Sequence, residues 1–236
     1  MHEKTAVIVV VEGFSDMASV GTMLKEYFSS AETQFVITRG DITSRDGVTA
    51  ANVITKLKTE IDKVRSRYGY QWSDLVRIIH IADTDGTFTK GCVVKAEVKS
   101  IHYYEDHMES ANVEATELRN KNKADVMFKL YSTSKINNTD YRLYFNSCNL
   151  EHVLYNALKD FSDDEKEEMS DAFAEKYKGH LSEFIDFISD PDVAAPGTYR
   201  ETWKFIEKDA HSLQRHTNMH LIFDPESLDT ANQPTE

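Results

Sequence analysis

Residues 5–16 read Thr5-Ala6-Val7-Ile8-Val9-Val10-Val11-Glu12-Gly13-Phe14-Ser15-Asp16. The first seven carry no charge and are mostly β-branched, which describes a strand covered on both faces, as in a parallel sheet. After Glu12-Gly13 the period changes. Met17, Val20, Met23, Leu24, Tyr27 and Phe28 recur at helical spacing to about residue 29, with Ser15 as the expected N-cap. Gly13 lets the chain turn sharply, leaving Glu12 on the strand tip and Asp16 on the first helical turn. A carboxylate at Asp16 also complements the helix dipole, so it suits either a ligand or a cap.

Working outward, residues 34–38 (QFVIT) read as a second strand ending at Gly40. Val53, Ile54, Leu57, Ile61 and Val64 mark an amphipathic helix over about 49–68. Residues 75–82 (LVRIIHIA) form a third strand, stopped by Asp83-Thr84-Asp85-Gly86. Strand, helix, strand, helix, strand in succession predicts an α/β fold with a parallel sheet and right-handed crossovers. Ligands of open parallel sheets collect beyond the carboxyl ends of the strands. Glu12 and the Asp83/Asp85 couple both fall there.

Further along, residues 114–131 look helical, with Leu118, Val126, Phe128 and Leu130 apolar. Residues 141–145 (YRLYF) predict a fourth strand, and Asn149 can cap a helix from Leu150 to about Leu158. Ser162-Asp163-Asp164-Glu165 has the S-x-x-E form of a capping box. Residues 181–188 and 199–206 are also expected to be helical, separated by a loop at Pro191 and Pro196-Gly197. Residues 219–223 suggest a short last strand, and the polar tail after Asp224 is expected to fray. The domain organisation that follows is an α/β domain over 1–160, with an insertion at about 87–140, and a mostly helical C-terminal extension over 161–236.

The 236 residues can bury a sizeable core without staples. Cys92 and Cys148 have no metal-ligand spacing and read as free thiols of a reducing compartment. No apolar run approaches the roughly 18 residues of a membrane span, and the start lacks a secretory pattern. These features predict a soluble cytoplasmic protein without a membrane partner. The net charge of −13, from 40 acidic against 27 basic residues, argues against a broad electrostatic grip on nucleic acid. It leaves room for a nucleic-acid substrate, because a bound cation reverses the field of the carboxylates that hold it. Arg119, Lys121 and Lys123 could contact phosphates, but a solvated helix face accounts for them more simply.

Three motifs could carry chemistry. Glu12 and Asp16 flank Gly13. Asp83 and Asp85 form a D-x-D that could share a hard cation, magnesium preferring a few carboxylates plus water and phosphate oxygens; Asp-Gly is also a common turn pair. Glu151, after the fourth strand in Asn149-Leu150-Glu151-His152, could reach the same sheet edge or be an ordinary exposed residue, and His152 reads as incidental.

Strand-Glu-Gly followed about 70 residues later by strand-Asp-x-Asp-Gly resembles the Toprim domain of topoisomerases, bacterial primases and certain nucleases. The E-x-x-x-D of Glu12 and Asp16 is most similar to the Toprim nucleases of the overcoming-lysogenization-defect (OLD) family. There, a further acidic residue after the next strand helps bind a second metal, and Glu151 is its match. The resemblance covers residues 5–90 and, more loosely, 141–160. It implies a Toprim-like (Rossmann-like) parallel sheet flanked by helices and Mg²⁺- or Mn²⁺-dependent cleavage of DNA or RNA. Glu12, Asp83 and Asp85 would hold one ion, and Asp16 and Glu151 a second; one-metal chemistry, or Glu12 as general base, is an equal alternative. The family's assisting lysine has no position here that announces itself; Lys204 is the candidate, although a solvated helix lysine accounts for it more simply. Those nucleases are usually fused to an ATPase, and no G-x-x-x-x-G-K-[ST] occurs here, so either an ATPase would be a separate partner or the chain is a stand-alone effector. Many stand-alone relatives serve in defence against phage, and homo-oligomerisation stays open.

Two rivals stand beside this expectation. Asp83-Thr84-Asp85-Gly86-Thr87 resembles the nucleophile motif of haloacid-dehalogenase-type phosphatases, with Asp83 as nucleophile and Asp85 as acid/base. Ser147 and Asp224 would stand for its later motifs, but residues 1–80 and its lysine motif are unaccounted for. The other rival is a non-catalytic Toprim-like binding or assembly protein, to which the 11 Tyr and 12 Phe would contribute an interface, although a core explains most of them.

Overall fold

All six side chains of β1 (Ala6–Val11) are buried, which is why a continuous apolar run rather than an alternating one encodes it. The computed structural model describes residues 5–38 and 41–224. β1 is followed by α1 (Phe14–Tyr27), β2 (Glu32–Ile37), α2 (Val53–Tyr68) and β3 (Leu75–Asp83). Next come three short strands, β4 (Val93–Lys95), β5 (His102–Tyr103) and β6 (Met108–Ser110), and the long α3 (Val113–Tyr131). A hairpin of β7 (Lys135–Ile136) and β8 (Thr139–Asn146) precedes four helices: α4 (Leu150–Tyr155), α5 (Asp163–Tyr177), α6 (Leu181–Ser189) and α7 (Tyr199–Ile206).

The fold is α/β, a mixed sheet of mostly parallel strands flanked by helices. The five-stranded sheet has the order β2-β1-β3-β8-β7. β1 pairs in parallel with β2, Val11 opposite Ile37, and with β3, Val10 opposite His80. The expectation of a wholly parallel sheet needs one correction: β7 runs antiparallel to β8, with Ile136 opposite Thr139. Asn137 and Asn138 between them both have positive φ, 48° and 67°, the two-residue turn that suits the twist of a hairpin.

The chain divides into two compact units. The first comprises Met1–Ala82, Asn122–Tyr144 and Asp160–Phe184, and the second Asp83–Lys121, Phe145–Lys159 and Ile185–Glu236. In the first, α5 packs on α1, whose Val20, Met23 and Leu24 are buried. In the second, β4, β6 and β5 form a small sheet in that order. Val93, Met108 and Leu213 make a core cluster there, with Ile101, Tyr103 and Val113 packed against it. These strands, of two or three residues, are too short to show a period and were not expected from the sequence.

Several boundaries move for identifiable reasons. Gly13, not Ser15, is the N-cap of α1: Gly13 is extended, and its N–H donates to the Asp16 carboxylate at 2.8 Å. α2 starts at Val53 instead of near residue 49, because the Asn52 side chain takes the Thr49 N–H at 2.9 Å and holds 49–52 as a turn. α4 ends at Tyr155, where Asn156 adopts the left-handed conformation. Met219–Ile222 is a 3₁₀ turn, not a strand. Thr217 just before it makes the sheet-like bridges, to Asn146 and Ala194, so the chain has already left the strand path at residue 219. The expected end of the second strand at Gly40 and the tail beyond Asp224 lie outside the described residues.

The basic stretch on α3 is not a uniformly solvated face. Lys123 is fully buried, and its Nζ pairs with Asp41 Oδ2 at 2.5 Å. Arg119 is half-buried and engaged with backbone and side chains, and Lys121 is exposed.

Candidate functional site

In the first unit, Glu12 follows directly on β1 and is partly buried. Thr38, just past β2, donates both its N–H (3.0 Å) and its hydroxyl (3.3 Å) to the Val11 carbonyl, fixing the backbone before Glu12. Asp16 caps α1 through Gly13, and also complements the positive end of the helix. Phe14 between them is two-thirds exposed.

In the second unit, Asp83 closes β3 and accepts a hydrogen bond at 3.1 Å from the Asn146 amide, which closes β8. Thr84 is fully buried: its N–H donates to the Asn146 carbonyl (2.9 Å) and its hydroxyl to the Ser212 carbonyl (3.1 Å). With Thr84 turned inward, the flanking Asp83 and Asp85 remain partly exposed. The Asp85 N–H donates to the Cys148 carbonyl at 2.8 Å, and the Thr87 N–H closes the turn on the Thr84 carbonyl. Gly86, at φ +67°, sits where a Cβ would come within 2.6 Å of Met108 Sδ and 2.7 Å of Leu213 Cδ2. The motif is therefore a pinned turn whose glycine is required by both conformation and space.

Arg119 Nη2 donates to the Asp85 carbonyl at 2.8 Å, and Nη1 to the Tyr103 hydroxyl at 3.2 Å. Burial and then the Asp85 carboxylate push the Tyr103 phenol up to about 12, so it stays protonated and able to donate. Arg119 was legible only as a generic basic residue. Its role of holding the Asp85 backbone, and Tyr103's place beside it, depend on pairings 34 and 16 residues away in the chain. Glu151 lies on the first turn of α4 and is buried, not an ordinary exposed helix residue. The expected Asn149 cap is present, its side chain accepting the His152 N–H at 2.8 Å. His152 is buried as well, and burial, then Arg215 and His216, lowers its pKa to about 4. Lys204 lies exposed on α7.

Within the second unit the fold thus brings together Asp83, Asp85, Asn146, Arg119 and Tyr103 through direct bonds or electrostatic contact. Oxygen-only donors such as these two carboxylates suit a hard divalent cation. Among the described residues, no group of three or more His, Cys, Asp or Glu side chains is gathered as a ready ligand set. Nor is any helix among them long and apolar enough to cross a membrane. Comparison with protein-family models, with curated proteins and with solved structures finds no match to this chain.

Proposed function

We propose that this protein is a Toprim-like, metal-dependent phosphodiesterase that cleaves DNA or RNA, with Glu12, Asp83 and Asp85 as its central carboxylates. The observation that supports this most is the parallel pairing of β1 with β3, matched as far as Val10 and His80. The two acidic motifs continue from the carboxyl ends of neighbouring strands, the edge at which open α/β sheets bind ligands. Glu12, Asp83 and Asp85 would hold a Mg²⁺ or Mn²⁺ ion, with Asp16 and Glu151 candidates for a second. When bound, such a cation supplies positive charge to activate water and stabilise the leaving oxygen. Asp16 also serves α1 as its cap.

The test uses the purified protein with plasmid DNA, single-stranded DNA and total RNA, in Mn²⁺ and in EDTA. Cleavage in Mn²⁺ alone, abolished by Glu12→Gln and by Asp83→Asn in proteins with unchanged circular dichroism, is the expected result. Retained cleavage in both variants overturns the assignment. Turnover of p-nitrophenyl phosphate that is lost with Asp83→Asn but kept with Glu12→Gln would instead assign Asp83 as the nucleophile of a phosphatase. If Glu12, Asp83 and Asp85 bind neither Mg²⁺ nor Mn²⁺ and their substitution leaves function intact, the binding or assembly reading takes its place.

A further inference from the structure

The turn that carries Asp83 and Asp85 is strained. Asp85 has φ 47°, Phe88 has φ 77°, and Cys148, whose carbonyl takes the Asp85 N–H, has φ 56°. Aspartate tolerates the left-handed region through its short polar side chain, but phenylalanine and cysteine have no such relief from the clash of Cβ with the following carbonyl. Conformations of this kind persist only where the surroundings over-determine them, and they gather at binding and reactive sites.

Much of that constraint comes from one residue more than 120 positions away. Ser212 is fully buried. Its carbonyl accepts from the Thr84 hydroxyl at 3.1 Å and from the Cys148 N–H at 2.9 Å, and its own hydroxyl donates to the Thr87 carbonyl. The Cys148 N–H also reaches the Thr84 hydroxyl oxygen at 2.9 Å, closing the set. Ser212 therefore grips both ends of the Thr84–Thr87 turn and the backbone on which Asp85 rests. Its own segment is anchored in turn. The Ser147 N–H donates to the His216 carbonyl at 2.7 Å, the His216 N–H returns to the Ser147 hydroxyl at 2.8 Å, and Leu213 packs with Val93 and Met108.

We propose that Ser212 is a positioning residue that sets the aim of the Asp83 and Asp85 carboxylates toward a divalent cation, acting through the loop backbone. The inference rests on the cation-binding role given to those carboxylates above. Outer partners that orient ligating groups typically change metal affinity by about 10–100-fold when removed. Ser212→Ala keeps the carbonyl contacts and loses only the bond to Thr87, so its effect belongs at the low end of that range.

The test is a Mn²⁺ titration of the full chain, followed by the electron paramagnetic resonance of free Mn²⁺ and, in parallel, by single-turnover cleavage. Ser212→Ala is expected to raise the Mn²⁺ half-saturation about 10-fold, with the rate recovered at excess Mn²⁺. Ser212→Thr, which retains the hydroxyl, should restore the half-saturation. Thr84→Val removes the hydroxyl that meets the Ser212 carbonyl and carries the same prediction if Ser212→Ala fails to fold. Combined with Ser212→Ala it should add less than the product of the two single effects, since both loosen one turn. If the wild type binds Mn²⁺ through Asp83, as shown by loss in Asp83→Asn, and Ser212→Ala and Thr84→Val leave the half-saturation unchanged, the positioning role is refuted while the cation site stands. If the wild type binds no Mn²⁺, or binds it equally with Asp83→Asn, the cation-binding role itself fails and this inference with it.

Discussion

Lowering the pH from 7.5 to 5.0 should destabilise both units, and the second more than the first. His152 is 1% exposed, its Nδ1 has no hydrogen-bond partner among the described residues, and burial, then Arg215 and His216, brings its pKa from 6.5 to about 4. His216 is lowered to about 4 as well, by burial and then His211. His220 moves in the same direction through burial, against the pull of Thr217 and Asp224. The folded form of each is the neutral imidazole, whereas the unfolded chain takes up a proton near pH 6.5. Stability from such a group is complete above the unfolded value and drains away as the pH falls toward the folded one. For His152 that gap removes about 2 kcal/mol at pH 5.0. His216 adds somewhat less, because it is only partly buried. In the first unit His80 is affected: it is buried, bonded to the Tyr141 hydroxyl at 2.8 Å, and lowered to about 4, chiefly by burial. Asp41 stays out of this window. Burial pushes its carboxyl up, but Lys123 outweighs that and holds it well below the usual range, so its contribution stands above about pH 4 and is lost only below it. The two tryptophans separate the units. Trp203→Phe leaves Trp72 to report on the first, and Trp72→Phe leaves Trp203, packed edge-on against Phe88 and Phe145, to report on the second. Urea titrations at pH 7.5 and 5.0 should cost the second unit about 2–4 kcal/mol and the first about 2 kcal/mol, with His152→Leu reducing the loss in the second. A Trp203 transition whose midpoint stays put between the two pH values would refute the reasoning.

Two further outcomes are expected. Lys123→Met strands the Asp41 carboxylate in a buried setting and should cost the first unit about 3–5 kcal/mol by Trp72-monitored urea unfolding; Lys123→Met combined with Asp41→Leu should recover a large part, and an unaltered single variant would show the ion pair to be incidental. Gly86→Ala places a Cβ at φ +67° against Met108 and Leu213, and should cost the second unit about 2 kcal/mol or more; a Trp203 transition unchanged within error would mean that the turn relaxes freely.

Much of the framework was legible because it is encoded locally. The apolar runs of β1 and β3, the helical spacing after Gly13, and the carboxylates at the strand ends are properties of contiguous residues. The Asn149 cap and the Ser162/Glu165 capping box were readable for the same reason, being hydrogen bonds between residues three apart. Asn137-Asn138 between Ile136 and Thr139 also has the form of a two-residue hairpin turn, a local signal of the antiparallel edge of the sheet. The strands β4 to β6 were not readable, since two or three residues cannot display a period. Lys123 reads as a surface lysine because nothing within a helix reports a partner 82 residues earlier.

By itself, then, the amino-acid sequence determined the alternation of strand and helix, the two-sided burial of the central strands, and the delivery of Glu12, Asp83 and Asp85 to strand ends, since these follow from side-chain pattern and turn chemistry along the chain. Only the tertiary structure decided the strand order, the burial of the Asp41–Lys123 pair and the grip of Ser212 on the acidic turn. Each of these depends on satisfying buried polar groups with partners distant in sequence, and a linear pattern carries no record of which donor will meet which acceptor.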